Sequence, residues 1–143
     1  MKVKIALIAL FVQTVILIGL PVQAGDLTAI LSGEHRSDEN KARDQFRNPQ
    51  QVLEFFGVQP EDHVLEMWPG SGWYSEILAP YIKGKGIFSA ATFATDNLNS
   101  DDKRYVFWSK VAKKYREKMS DSELYGLVHF SVFQDSKFEG NAL

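Results

Sequence analysis

Cysteine is absent from the 143 residues. That excludes a disulfide framework and any zinc–thiolate site. It leaves the compartment open, since disulfides are permitted outside the cytoplasm and not required there. An excess of one charge is also lacking: the formal net charge is -2, so nucleic acid is not the expected partner. His35, His63 and His129 have no metal-ligand spacing, and no metal site is expected. No internal repeat or low-complexity tract occurs. What remains is ordinary for a globular chain, 45% apolar and 24% charged, with length for one domain or part of one.

The amino terminus departs from that average. Lys2 and Lys4 give a positive start, and Ile5 to Leu20 is an apolar run interrupted only by Gln13 and Thr14. Pro21 breaks the run, and Val22-Gln23-Ala24 supplies residues tolerated at a cleavage site. The run falls short of the roughly 20 apolar residues that span a bilayer comfortably. Residues 1–24 are therefore expected to be a secretory signal peptide cleaved near Ala24, giving a secreted or periplasmic chain of residues 25–143. Retention as a membrane anchor is the alternative.

Along the remaining chain, Gly25 to Arg36 is a loose lead-in with a short helical turn. Ser37-Asp38-Glu39-Asn40 starts a helix, with acidic residues at the positive end of its dipole. Asn48-Pro49 starts a second, which Gly57 ends. His63 to Trp68 is a strand, Pro69-Gly70-Ser71-Gly72 a tight turn, and Trp73 to Ile82 a helix. Ile87 to Phe93 is the next strand, and this strand–helix–strand unit favours a parallel pair with a right-handed crossover. A long helix from Asp101 to Met119 carries Tyr105, Trp108, Ala112, Tyr115 and Met119 as one stripe. Leu127 to Phe133 is a third strand, and Gln134 to Asn141 a polar stretch. The fold class is α/β, an incomplete Rossmann-like arrangement with a short parallel sheet of about three strands flanked by helices.

The segment Val64-Leu65-Glu66-Met67-Trp68-Pro69-Gly70-Ser71-Gly72 carries the chemistry. Glycines between a strand's carboxyl end and a helix's amino end stand where open parallel sheets bind ligands. Free amides and the helix dipole there suit a carboxylate or phosphate. Glu66 suits a cationic or hydroxyl-bearing ligand. The dinucleotide fingerprint fails, because neither Trp68 nor Ser75 is glycine. The hydrolase nucleophile elbow around Ser71 fails too, because Pro69 and Trp73 occupy its glycine positions.

Glu66-Met67-Trp68-Pro69-Gly70-Ser71-Gly72 resembles the E/D-x-G-x-G-x-G loop of class I S-adenosylmethionine-dependent methyltransferases. Residues 36–93 resemble more closely a group of predicted methyltransferases made with signal peptides. The matching runs are Arg36-Ser37-Asp38-Glu39, Ala42-Arg43-Asp44-Gln45-Phe46-Arg47-Asn48-Pro49, Leu53-Glu54-Phe55-Phe56-Gly57-Val58 and Glu66 to Tyr74. The resemblance implies S-adenosylmethionine as cofactor, bound by Glu66, Gly70, Ser71 and Gly72 around its methionine part. Thr92 stands near where an acidic residue would hold the ribose, with Asp96 a few residues on. Asp135 stands where an acid would bind the adenine amino group. Trp68 replaces the loop's first glycine. The family's domain continues through further parallel strands and acceptor-binding loops, so a chain stopping at Leu143 is expected to be a fragment without its acceptor-binding half.

Methyl transfer needs chiefly an aligned cofactor and nucleophile, so no catalytic residue is assigned. Trp68, Trp73 and Tyr74 suit either a sulfonium or packing on the sheet. Arg43, Asp44 and Arg47 share a helical face and suit either an anionic acceptor or surface ion pairing. The basic residues Lys103, Arg104, Lys110, Lys113, Lys114, Arg116 and Lys118 suit a solvated helix face, or contact with anionic lipid headgroups. The expected function is thus an exported methyltransferase-like protein, the acceptor unnamed. A non-catalytic periplasmic binding or interaction module, or a membrane-anchored accessory protein, is the competing reading.

Overall fold

The computed structural model describes residues 25–134 and 137–139. The expected signal peptide, Met1–Ala24, and Asp135 lie outside the described residues. The helices are α1 (Leu27–Ser32), α2 (Asp38–Arg47), α3 (Pro49–Phe56), α4 (Ser75–Ile82), α5 (Lys103–Met119) and α6 (Ser122–Tyr125). The strands are β1 (His63–Met67), β2 (Ile87–Phe93), β3 (Val128–Gln134) and β4 (Lys137–Glu139). The sheet order is β1-β2-β3-β4. β1 pairs with β2 and β2 with β3 in parallel, whereas β4 returns antiparallel to β3. The fold is therefore mixed α/β, with a three-stranded parallel open sheet flanked by helices in a Rossmann-like layout. The polar stretch after Gln134 conceals β4. Only residues 135 and 136 separate it from β3, a connection that can join strands only in antiparallel fashion.

Both crossover helices pack on one face of the sheet. Parallel register puts Val64, Phe88 and Val128 on the same side, and likewise Glu66, Ala90 and Phe130. The apolar members of this set join Ile77, Leu78 and Ile82 of α4 with Tyr115 and Met119 of α5 in one core. On the opposite face Leu65 and Met67 remain 46% and 61% exposed. α1 and α3 extend the core with Ile30 and Leu53.

Local chemistry accounts for the helix boundaries. The Ser37 and Asp102 side chains accept hydrogen bonds from the Asn40 and Arg104 amides, capping α2 and α5. Asn48, at φ 45°, ends α2 and is followed at once by Pro49 in the first turn of α3. Within α4, Pro80 has no N–H to donate to the carbonyl of Glu76. His35 fills that vacancy, its Nε2 lying 2.9 Å from the Glu76 oxygen. A carbonyl only accepts, so Nε2 carries the proton. Burial lowers the pKa of His35, consistent with a neutral ring.

Glu76 itself is the polar centre of the fold, 1% exposed in the first turn of α4. Its Oε2 accepts from Asn40 Nδ2 at 2.8 Å and lies 3.8 Å from Arg36 Nε. Its Oε1 pairs with Lys118 of α5. Arg36, fully buried, also grips Asp44 through two hydrogen bonds of 2.6 and 2.8 Å. Asn40 accepts from Trp73 Nε1 through its carbonyl at 2.9 Å. The helices before β1 are thereby held to α4 by paired, hydrogen-bonded charge, the condition under which buried ions are tolerated.

Candidate ligand-binding turn at the end of β1

The turn between β1 and α4 begins with Trp68 at φ 58°, a left-handed conformation uncommon for a bulky side chain. Such a residue stores of order 1 kcal/mol and persists only where its surroundings hold it. Here the Trp68 amide donates to the Ala91 carbonyl at 3.0 Å. Its ring meets Phe93 edge-on at 4.7 Å and Trp108 at 5.1 Å. The position thus keeps a backbone conformation native to glycine while carrying an aromatic group.

Gly70 and Gly72 serve different ends. At Gly70, with φ 59°, a methyl group would meet nothing within 4 Å. At Gly72, with φ 87°, it would stand 3.0 Å from the Tyr115 ring. The Gly72 amide donates to the Pro69 carbonyl and closes the turn. The Gly70 and Ser71 amides have no internal acceptor among the described residues. The Gly70 and Ser71 amides are thus candidate donors to a ligand, and Gly72 is needed for packing against Tyr115.

Glu66 sits at the strand's end below this turn. Its Oε2 accepts from Ser75 Oγ at 2.5 Å, and that hydroxyl lies 2.9 Å from the Tyr115 hydroxyl. Burial pushes the Glu66 carboxyl up to about 7, against the pull of the Ser75 hydrogen bond. Burial likewise raises the pKa of the Tyr115 phenol. Near neutral pH, Glu66 can therefore either keep its proton or present a negative charge to a cation.

A narrow cleft of about 10 Å³ opens beside the turn, lined by Trp68, Pro69, Gly70, Thr92, Trp108 and Tyr115 among others. That is room for about one water molecule, far below the roughly 300 Å³ at which whole-ligand pockets begin, so a ligand here would lie mainly on the open side of the turn or displace the Trp68 and Trp108 rings. A larger hollow of about 400 Å³ lies near Gly86, Ile87 and Leu127. These residues mark the amino ends of β2 and β3, opposite the end where parallel sheets bind.

The expected site residues separate accordingly. Glu66, Gly70, Ser71 and Gly72 are adjacent at the turn, although of the four only Gly70 lines the cleft. Thr92 lines it with its hydroxyl committed, donating to the Phe93 carbonyl at 3.0 Å and accepting from Arg116 Nε and Nη2 at 3.2 and 2.9 Å. Asp96 is exposed, and Asp135 is outside the described residues. Ser75, Tyr115 and Arg116 are the polar residues that pattern reading passed over. Ser75 had a signal, since a serine in a helix's first turn stands close to the end of the preceding strand. Arg116 had none: it counted as part of a basic helix, but it lies 5.0 Å over the Phe130 ring and burial lowers its pKa.

Among the described residues no group of acidic, histidine or cysteine side chains is arranged to hold a metal, and no helix is long and apolar enough to cross a membrane. Comparison with protein-family models, with characterised proteins and with solved structures returns no match.

Proposed function

We propose that this chain binds S-adenosylmethionine at the turn after β1 and belongs to the exported methyltransferase-like proteins its motifs resemble. The observation that carries the reading is the Trp68–Gly72 turn. Its first residue adopts a glycine conformation, the amides of Gly70 and Ser71 have no acceptor among the described residues, and Gly70 lines a narrow cleft. Such amides suit the carboxylate of an amino-acid ligand, and ionised Glu66 suits its ammonium group. The cofactor would supply a methyl group on a sulfonium, which needs no protein base to leave. The protein's part is then binding and alignment, with Trp68 and Trp108 as ring faces for a cation or a base. Export rests on the pattern of Met1–Ala24, and the methyl acceptor is a small molecule or side chain delivered outside the cytoplasm.

A non-catalytic binding module on the same fold is the second reading. The observation favouring it is the wall of the cleft, where Trp68 and Trp108 take up space and the Thr92 hydroxyl is already committed.

Calorimetry of residues 25–143 with S-adenosylmethionine tests the first reading. Binding at micromolar to low-millimolar concentration is expected, and no heat at 5 mM would remove the cofactor assignment. The two glycines give a sharper version. Gly70→Ala is expected to weaken binding at least tenfold while costing only about 1 kcal/mol of stability, the left-handed penalty alone. Gly72→Ala adds a clash with Tyr115 and should cost about 3 kcal/mol or more, read as a urea midpoint shift. Equal stability losses in the two variants would contradict the division of roles.

A further inference from the structure

Among the described residues, Trp73 is the ring with the most cations over it. It is 3% exposed and fixed by its indole hydrogen bond to Asn40. Three guanidinium carbons lie over it: Arg36 and Arg43 at 5.9 Å, and Arg47 at 4.8 Å. Arg36 and Lys118 share two carboxylates, Asp44 and Glu76. Both carboxylates are taken, Asp44 by Arg36, and Glu76 by Arg36 and Lys118. Among the described residues no acidic group lies within ion-pair distance of Arg43 or Arg47.

Arg43 and Arg47 are one helical turn apart, a like-charge spacing that costs an isolated helix a few tenths of a kcal/mol. Among the described residues neither guanidinium donates a hydrogen bond to a protein acceptor. The N–H edges stay available for the two-pronged hydrogen bonding that suits carboxylate and phosphate. Arg47 is exposed and Arg43 partly so, so an anion can reach them from solvent. Trp73 directly follows Gly72, while Gly70 lines the cleft. Cleft and arginine pair therefore flank one turn.

We infer that Arg43 and Arg47, held by Trp73, form an oxyanion-binding subsite for the carboxylate or phosphate of a small-molecule ligand. The description of that ligand as the methyl acceptor rests on the function proposed above; the anion site itself does not.

Titration of residues 25–143 with inorganic phosphate, followed by nitrogen–proton spectra of the tryptophan indoles and arginine side chains, tests it. Saturable shifts of the Trp73 indole and the Arg43 and Arg47 Nε signals are expected below 10 mM. Arg43→Gln/Arg47→Gln should weaken the apparent affinity at least tenfold without lowering the melting temperature by more than a few degrees. Lys113→Gln/Lys114→Gln, which removes two exposed charges on α5, should leave it unchanged. Acetate titrated in parallel distinguishes a carboxylate site from a phosphate site; saturable binding of either supports the subsite. No saturation with either anion, or equal loss in the two double variants, overturns it. Heat from S-adenosylmethionine separates the two proposals. Phosphate binding without cofactor binding would leave this subsite and remove the methyltransferase reading, and the reverse result would do the opposite.

Discussion

Replacing Glu66 by glutamine is expected to raise stability at pH 8 and to weaken ligand binding at the same pH. The carboxyl titrates near 7 in the folded chain against an ordinary value of 4.5. A raised pKa means that the fold favours the protonated form. Stability from this group is fully present below about pH 4.5 and is lost as pH rises through about 7. A shift of that size corresponds to about 3 kcal/mol at pH 8 and to under about 1 kcal/mol at pH 5. Glutamine has the shape of the neutral acid and is spared the loss. Its melting temperature should exceed that of the parent at pH 8, with the difference shrinking towards pH 5. A difference that stays constant between pH 5 and 8 would show that Glu66 titrates normally. Affinity for S-adenosylmethionine should move the other way, falling at least tenfold, because glutamine cannot offer an ammonium group a negative charge. Higher stability with lower affinity marks a residue retained for binding at the expense of the fold.

Glu76→Ala is expected to have the largest purely structural effect, a loss of about 3–5 kcal/mol in urea unfolding. The change strips Asn40 of its acceptor, leaves Lys118 with the Ser71 carbonyl at 3.4 Å but no carboxylate, and leaves Arg36 buried with Asp44 as its only carboxylate. Glu76→Gln retains an oxygen for Asn40 and should lose roughly half as much. A loss below about 1 kcal/mol for the alanine variant would mean that the helices before β1 are held by their apolar contacts alone.

Neither Glu66 nor Glu76 shows its role in the linear pattern, and the reason differs between them. Glu66 was marked as a ligand contact by its place at a strand's end before glycines. Its raised pKa depends on burial beside Ser75, 9 residues further along the chain, and Tyr115, another 40 beyond that. Glu76 carries no pattern in the sequence that sets it apart from any acidic residue in a helix's first turn. Its partners Asn40 and Lys118 are 36 and 42 residues away. Periodicity shows which side of an element is apolar, but not which polar groups meet across the core. Boundaries fared better because they rest on neighbours: Ser37, Asn48-Pro49, Gly57 and Asp102 act within one turn of where they stand. Trp68 is the opposite case. Its side chain argues against a left-handed backbone, and only hydrogen bonding to β2 and ring contact with Phe93 and Trp108 hold it there. β4 escaped because a short, polar strand has no apolar alternation to reveal it.

The placement of α4 and α5 on the same side of the strands has a practical consequence. Parallel strands are ordinarily sandwiched between two layers, but here Leu65 and Met67 look outward. Purified residues 25–143 should take up a hydrophobic dye such as anilinonaphthalene sulfonate while still melting cooperatively. They should also grow turbid in ammonium sulfate sooner than Leu65→Lys/Met67→Lys, because excluded salts strengthen contact between bare oily surfaces.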